Sequence, residues 1–261
     1  MFSLTPVVRV LLLANVAVLL LQRGDFITTD LFALHAFASP LFQPWQLVTY
    51  MFMHGDFWHL FSNSLSLLIF GSLLEQHWGG GRFLTFYRVC GLGAGLLYNG
   101  IREVEMRQIR TTAEQFVGTP DYIGFDRFTD AYGGGRSSDY APITQALKTD
   151  PSNAAYREAA VRIVTEIAGY IITFSSMLGA SGAVFGILFA FGYLFPNTEL
   201  YLYFAIPIKA KYFVFLYGAY ELYNGVHRTA GDNVAHFAHL SGMLIAFILL
   251  KYWEKRHPDF Y

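Results

Sequence analysis

The sequence predicts an all-α integral membrane protein, a bundle of six transmembrane helices with a soluble insertion between the third and the fourth. Three observations predict it. The chain is 54% hydrophobic, 18% aromatic and only 14% charged, outside the ordinary soluble range. Six stretches approach the run of about 20 apolar residues needed to cross roughly 30 Å of hydrocarbon. Between the third and the fourth, from Arg102 to Arg162, charge, Gly, Asp and Ser replace the apolar residues. A net charge of -1 gives no electrostatic reason to expect nucleic acid as a partner. The single Cys90 can form no internal disulfide and, set in an apolar run, reads as a small buried hydrophobe.

The first segment runs from about Pro6 to Gln22, the second from Phe57 to His77 and the third from Phe83 to Ile101. Segment one reads as a span rather than a cleaved leader, because Arg9 is its only positive charge and no small-x-small cleavage site follows. Segment four extends from about Ile167 to Phe195, segment five from Tyr212 to Val226 and segment six from Val234 to Trp253. The fifth is short and carries Glu221. These segments divide the chain into residues 1–101 with helices one to three, 102–164 as the insertion, and 165–261 with helices four to six. Inside the insertion, Thr112 to Tyr140 reads as loop, with turn signals at Gly118-Thr119-Pro120 and Gly133-Gly134-Gly135. Ser152 is the expected cap of a helix leading into segment four. Lys and Arg near the short loops put both termini in the cytoplasm and the insertion outside.

Polar residues within apolar spans are costly, so those present point to chemistry, and they fall into three groups. His59 and Asn63, four residues apart, share a helix face near the start of segment two, with His54 just before it. Interhelical hydrogen bonding would serve equally well for that pair. Gly179-Ala180-Ser181-Gly182, followed by Gly186 and Ala190, sets a hydroxyl in a stripe of tiny residues; the bland reading is close helix packing. His236 and His239 open segment six, and Gly242 and Ala246 share the face of His239. Two smooth stripes, one with a hydroxyl and one with an imidazole, are what a short Ser-His distance between two helices requires. A metal site built on His236-x-x-His239 with His54 or His59 competes, but there is no HExxH and no carboxylate at ligand spacing, so no metal is expected.

Together, the GASG run ending at Gly182 with Gly186 beyond it, His59-Leu-Phe-Ser-Asn63, and Ala238-His239-Leu240-Ser241-Gly242 resemble the motifs of rhomboid intramembrane proteases. The resemblance covers all six segments. It implies Ser181 as nucleophile and His239 as its base, His59 and Asn63 as oxyanion donors, and Phe185 as an aromatic stacked on the His239 imidazole. Gly179, Gly182, Gly186 and Gly242 are supporting residues. Two positions depart from the family pattern: Trp45-Gln46 stands where the family has Trp-Arg, and Ala246 where it has a second glycine.

The implied activity is endoproteolysis within the membrane by a Ser-His dyad, without cofactor. No aspartate is placed to complete a triad; Asp232 precedes segment six and reads as a loop residue. Expected partners are single-pass transmembrane substrates and the lipid bilayer. Substrates would dock beside segment five and the His227 to Val234 loop. The oligomeric state is not legible. The expected location is a bacterial inner membrane, as a multi-pass protein. Two other classes remain: a catalytically silent rhomboid-like protein that binds membrane proteins, and a small transporter or channel using the intramembrane histidines and Glu221.

Overall fold

The computed structural model describes residues 4–202, 205–227 and 234–256. Asp232 and most of the proposed docking loop lie outside them. Helix α1 (Pro6–Arg23) begins at a proline, whose missing N–H costs nothing at the first position. The N–H groups of Val7 and Val8 donate to Glu75 at 2.9 Å each, and the Thr5 hydroxyl donates to it as well. A carboxylate buried at a helix N-terminus answers both unpaired amides and the positive end of the dipole, which is why the second span tolerates Glu75.

Two single turns, α2 (Thr29–Phe32) and α3 (Gln46–Thr49), lie in the loop that follows α1, with strand β1 (Leu34–His35) between them. Gln46 organises this loop. Its Oε1 accepts from the amides of His35 and Gln43, and its Nε2 reaches the carbonyls of Leu41 (3.0 Å), Asp30 (3.2 Å) and Leu31 (3.4 Å). The amide that replaces the family's arginine thus answers its loop with both ends.

The second span, Phe57–Trp78, is α4 (Phe57–Ser66) and α5 (Ser72–Trp78) joined by one π-helical stretch at Leu67–Gly71. Helix α6 (Gly80–Gly118) has 39 residues. At 1.5 Å per residue it is about 58 Å long, nearly twice the hydrocarbon thickness. The helix of segment three, expected to end near Ile101, continues without a break into the insertion.

There it joins α7 (Tyr122–Tyr132), α8 (Ser137–Thr149) and α9 (Ala154–Phe174) around a core of their own. Met106, Ile109, Ala113 and Phe116 of α6 pack with Phe125, Phe128, Leu147, Ala160 and Val164. The expected loop from Thr112 to Tyr140 is therefore mostly helix, broken at Thr119 to Asp121 and at Gly133 to Arg136. Ser152 is not the cap of α9; Asn153 is, its Oδ1 accepting from the amides of Ala155 and Tyr156.

Segment four is not one helix either. Helix α9 ends at Phe174, strand β2 (Ser176–Met177) pairs antiparallel with β1, and α10 (Ser181–Leu194) starts afresh at the serine. A hairpin, β3 (Glu199–Leu202) and β4 (Ile206–Lys209), then leads to α11 (Ala210–Val226) and α12 (His236–Arg256). Helix α10 is the centre of the bundle, packed against α6 on one side and α12 on the other, and Gly182 through Leu188 are all buried. Its small residues permit this. A Cβ on Gly242 would lie 1.9 Å from the Gly182 carbonyl oxygen, and one on Gly186 would lie 2.8 Å from Cys90. Among the described residues, three helical stretches, Pro6–Arg23, Phe57–Trp78 and His236–Arg256, are long and apolar enough to cross a bilayer.

Candidate active site

The Ser181 hydroxyl sits on the first residue of α10, where the β1–β2 pair brings the chain into the helix. Just before it, Gly179 has φ +123°, a region that L side chains rarely adopt, and a Cβ there would meet the His59 ring at 2.7 Å. Only glycine fits. The Gly179 amide donates to the Tyr50 carbonyl at 2.8 Å, which ties this loop to the α3 region.

His239 lies one turn into α12. Its Nε2 is 2.9 Å from Ser181 Oγ, a hydrogen bond of ordinary length between a hydroxyl and an imidazole. Phe185, four residues after the serine, stacks on the His239 ring with centroids 4.1 Å apart and planes 6° from parallel. This fixes the plane of the imidazole, and Tyr217 backs Phe185 at 4.8 Å. Close packing of Gly182 against Gly242 is what allows α10 and α12 to hold Ser181 and His239 at bonding distance.

His59 and Asn63 line the same cleft as Ser181 and His239, a cavity of about 580 Å³. Asp56 caps α4 by accepting from the His59 amide at 2.9 Å, and that amide holds the Asp56 carboxyl below its usual range. The Asn63 Nδ2 donates one proton to the His59 carbonyl at 3.1 Å. An amide nitrogen carries two protons, so the second remains for the cleft.

The residue missed in the sequence is Glu221. Its Oε2 lies 2.8 Å from Nδ1 of His239 and 2.6 Å from Nδ1 of His236, and the glutamate is only 3% exposed. A carboxylate does stand behind the histidine, contrary to the expectation of a bare dyad. A carboxylate also stands at ligand spacing, contrary to expectation: ligand atoms of Glu221, His236 and His239 lie within 4.8 Å of one another, near enough to share a cation. The signal was present as an unexplained charge in segment five, but its partner depends on how α11 is rotated against α12.

A model of the Rhomboid domain matches residues 41–119 and 155–254, covering most of the chain and both halves of this site. An uncharacterized rhomboid protein of Schizosaccharomyces pombe, mitochondrial by its name, is 29% identical over 218 residues. That match takes in 81% of this chain and 52% of the relative. RHOMBOID-like protein 5 of Arabidopsis thaliana is 40% identical over 53 residues, 20% of this chain and 17% of its own length. The chain therefore spans about half, or much less, of the curated relatives it matches.

Proposed function

Because this chain belongs to the rhomboid family of membrane proteins, we propose that it is an intramembrane serine endopeptidase that cleaves transmembrane segments of other membrane proteins. The observation that carries the reading is the 2.9 Å contact between Ser181 Oγ and His239 Nε2 inside a cleft. As Oγ attacks the scissile carbonyl, its proton passes to Nε2, and the new C–O bond leaves a tetrahedral oxyanion. The Ser181 N–H, which has no acceptor within its helix, is one donor to that charge. The His59 imidazole and the second Asn63 amide proton are the others. Collapse of the intermediate breaks the C–N bond, and His239 returns the proton to the leaving amine. A water then repeats the sequence on the acyl-enzyme, with His239 again as base.

Depth supports reaction within the bilayer. Helix α10 has 14 residues. It is thus about 21 Å long, and with its far end at one membrane face its serine lies about 9 Å inside the opposite boundary. We take the spans as α1, α4–α5, the first half of α6, α10, α11 and α12. On this topology both termini are cytoplasmic and the insertion lies outside, above the mouth of the cleft. Substrate would approach beside α11. A relative with a mitochondrial name lends no support to the expected bacterial inner membrane, and the reading needs only a bilayer.

The test is cleavage of a model single-pass substrate by the purified protein in liposomes, beside Ser181→Ala. The reading predicts a cut within the substrate's membrane segment by the wild type and none by the variant. Cleavage by both overturns it, and binding without cleavage by the wild type supports a silent membrane-protein binder instead.

A further inference from the structure

On helix α11 the outward positions are apolar and exposed, including Tyr212, Phe215, Leu216, Tyr220 and Tyr223. Its buried positions are Ala210, Val214, Glu221 and Gly225, a single stripe turned to the bundle, and Glu221 is the one polar side chain on it. An ionisable group on that stripe is expensive in a membrane and persists only with partners. Helix α11 approaches α12 closely enough to supply them. A Cβ on Gly225 would lie 3.3 Å from His236 Cβ and from the Phe237 ring, and one on Gly218 would lie 3.4 Å from Met243. The glycines above and below thus bring the carboxylate to the back of both imidazoles.

We propose that Glu221 is a positioning residue for the reaction, converting the Ser181–His239 pair into a Ser-His-Glu relay in which His236 holds the carboxylate in register. The inference rests on the protease reading, and it assigns a role to a residue that the sequence motifs leave out. The chemistry follows from which nitrogen carries the proton. Imidazole Nδ1 at 2.8 Å from a carboxylate oxygen is a donor, since the carboxylate only accepts. With Nδ1 protonated, Nε2 presents its lone pair to the Ser181 hydroxyl, as a general base must. When Nε2 takes the serine proton, the imidazolium faces an anion on its far side. His236 Nδ1, at 2.6 Å, donates to the same oxygen and limits rotation of the carboxylate. Phe185 fixes the plane of the His239 ring, while Glu221 fixes its tautomer and its tilt within that plane.

The test is Glu221→Gln, which keeps the side chain's shape. Its amide can turn an N–H toward Nδ1, favouring the tautomer whose Nε2–H points the wrong way. On a model transmembrane substrate, kcat should fall by about a hundredfold or more with KM nearly unchanged, since loss of the orienting carboxylate in a comparable triad costs about 10⁴. A second readout needs no turnover: nitrogen NMR of labelled histidine should find His239 protonated at Nδ1 in the wild type and shifted toward Nε2–H in the variant. A purely structural Glu221 would lower the melting temperature and leave the tautomer of the folded fraction unchanged. Unchanged kcat in the folded variant of an active enzyme, or an Nε2–H tautomer in the wild type itself, overturns the proposal. A wild type that cleaves nothing defeats the protease reading instead, while the tautomer measurement still decides what Glu221 does. If Glu221→Gln fails to fold, the wild-type tautomer alone decides.

Discussion

The two cores of this molecule are built by different rules. The bundle brings α10 and α12 together through small residues, with Gly182 and Gly242 in direct approach, and Ser181, His239, His59 and Asn63 line one cleft within it. The insertion packs Phe116, Phe125, Phe128 and Leu147 in the manner of an ordinary soluble helical subdomain. In lipid, apolar surface gains little from burial, so helices associate through close packing and polar contacts. In water, burial of large apolar side chains suffices. A buried polar residue in the first core therefore needs a specific partner, as Glu75 has in the start of α1 and His239 in Ser181.

The largest effects should come from the bundle and should separate two neighbouring histidines. His239→Ala is expected to abolish cleavage while the folded protein stays in the membrane, because it removes the base itself. His236→Ala, two hydrogen bonds removed from His239 through Glu221, should retain far more activity. Turnover rates of the two variants on one substrate check this, and the reverse order would mean that the wrong imidazole has been paired with Ser181.

Next comes Asn63→Ala. As a donor to charge present only in the transition state, Asn63 should contribute about a hundredfold or more to kcat, roughly 3 kcal/mol, with little change in substrate affinity. As interhelical glue it would instead contribute roughly 1 kcal/mol of stability and nothing to turnover. Rate and melting measured on the same preparation distinguish the two, and a destabilised but fully active variant removes Asn63 from the site.

The smallest expected effect on catalysis comes from the other core. Phe125 is fully buried in the insertion, so Phe125→Ala should destabilise that subdomain by about 3–5 kcal/mol. Hydrogen exchange should detect this as opening of α7 and α8 at unchanged protection of α10 and α12. Cleavage of a model substrate should persist, and a loss as large as that of His239→Ala would mean that the two cores fold as one.

The same contrast explains what could be read from the sequence. Ser181, His239, His59 and Asn63 stand out in the sequence because each interrupts an apolar run in a recognisable local motif, and the stacking of Phe185 is what the family resemblance implies at its four-residue spacing from Ser181. Within the insertion, Thr112 to Tyr140 reads as loop because its turns are rich in Gly, Asp and Ser. Its helical stripes were there, in Ile109-Ala113-Phe116 and Phe125-Phe128, but diluted by charge. The break in segment four was hidden by apolar residues on both sides of the Ser176–Met177 strand. Glu221 was visible as a charge, but its role depends on the rotation of α11 against α12, a nonlocal quantity that no motif records.

In the proposed mechanism Ser181 is a nucleophile activated by His239. A small fluorophosphonate, which captures an activated serine covalently, tests it without any knowledge of the natural substrate. After reaction with the purified protein, peptide mass spectrometry should find one adduct, on Ser181, and His239→Ala should lose it. An adduct on a different residue, or labelling of Ser181 that is unchanged in His239→Ala, would rule out the Ser181–His239 nucleophile.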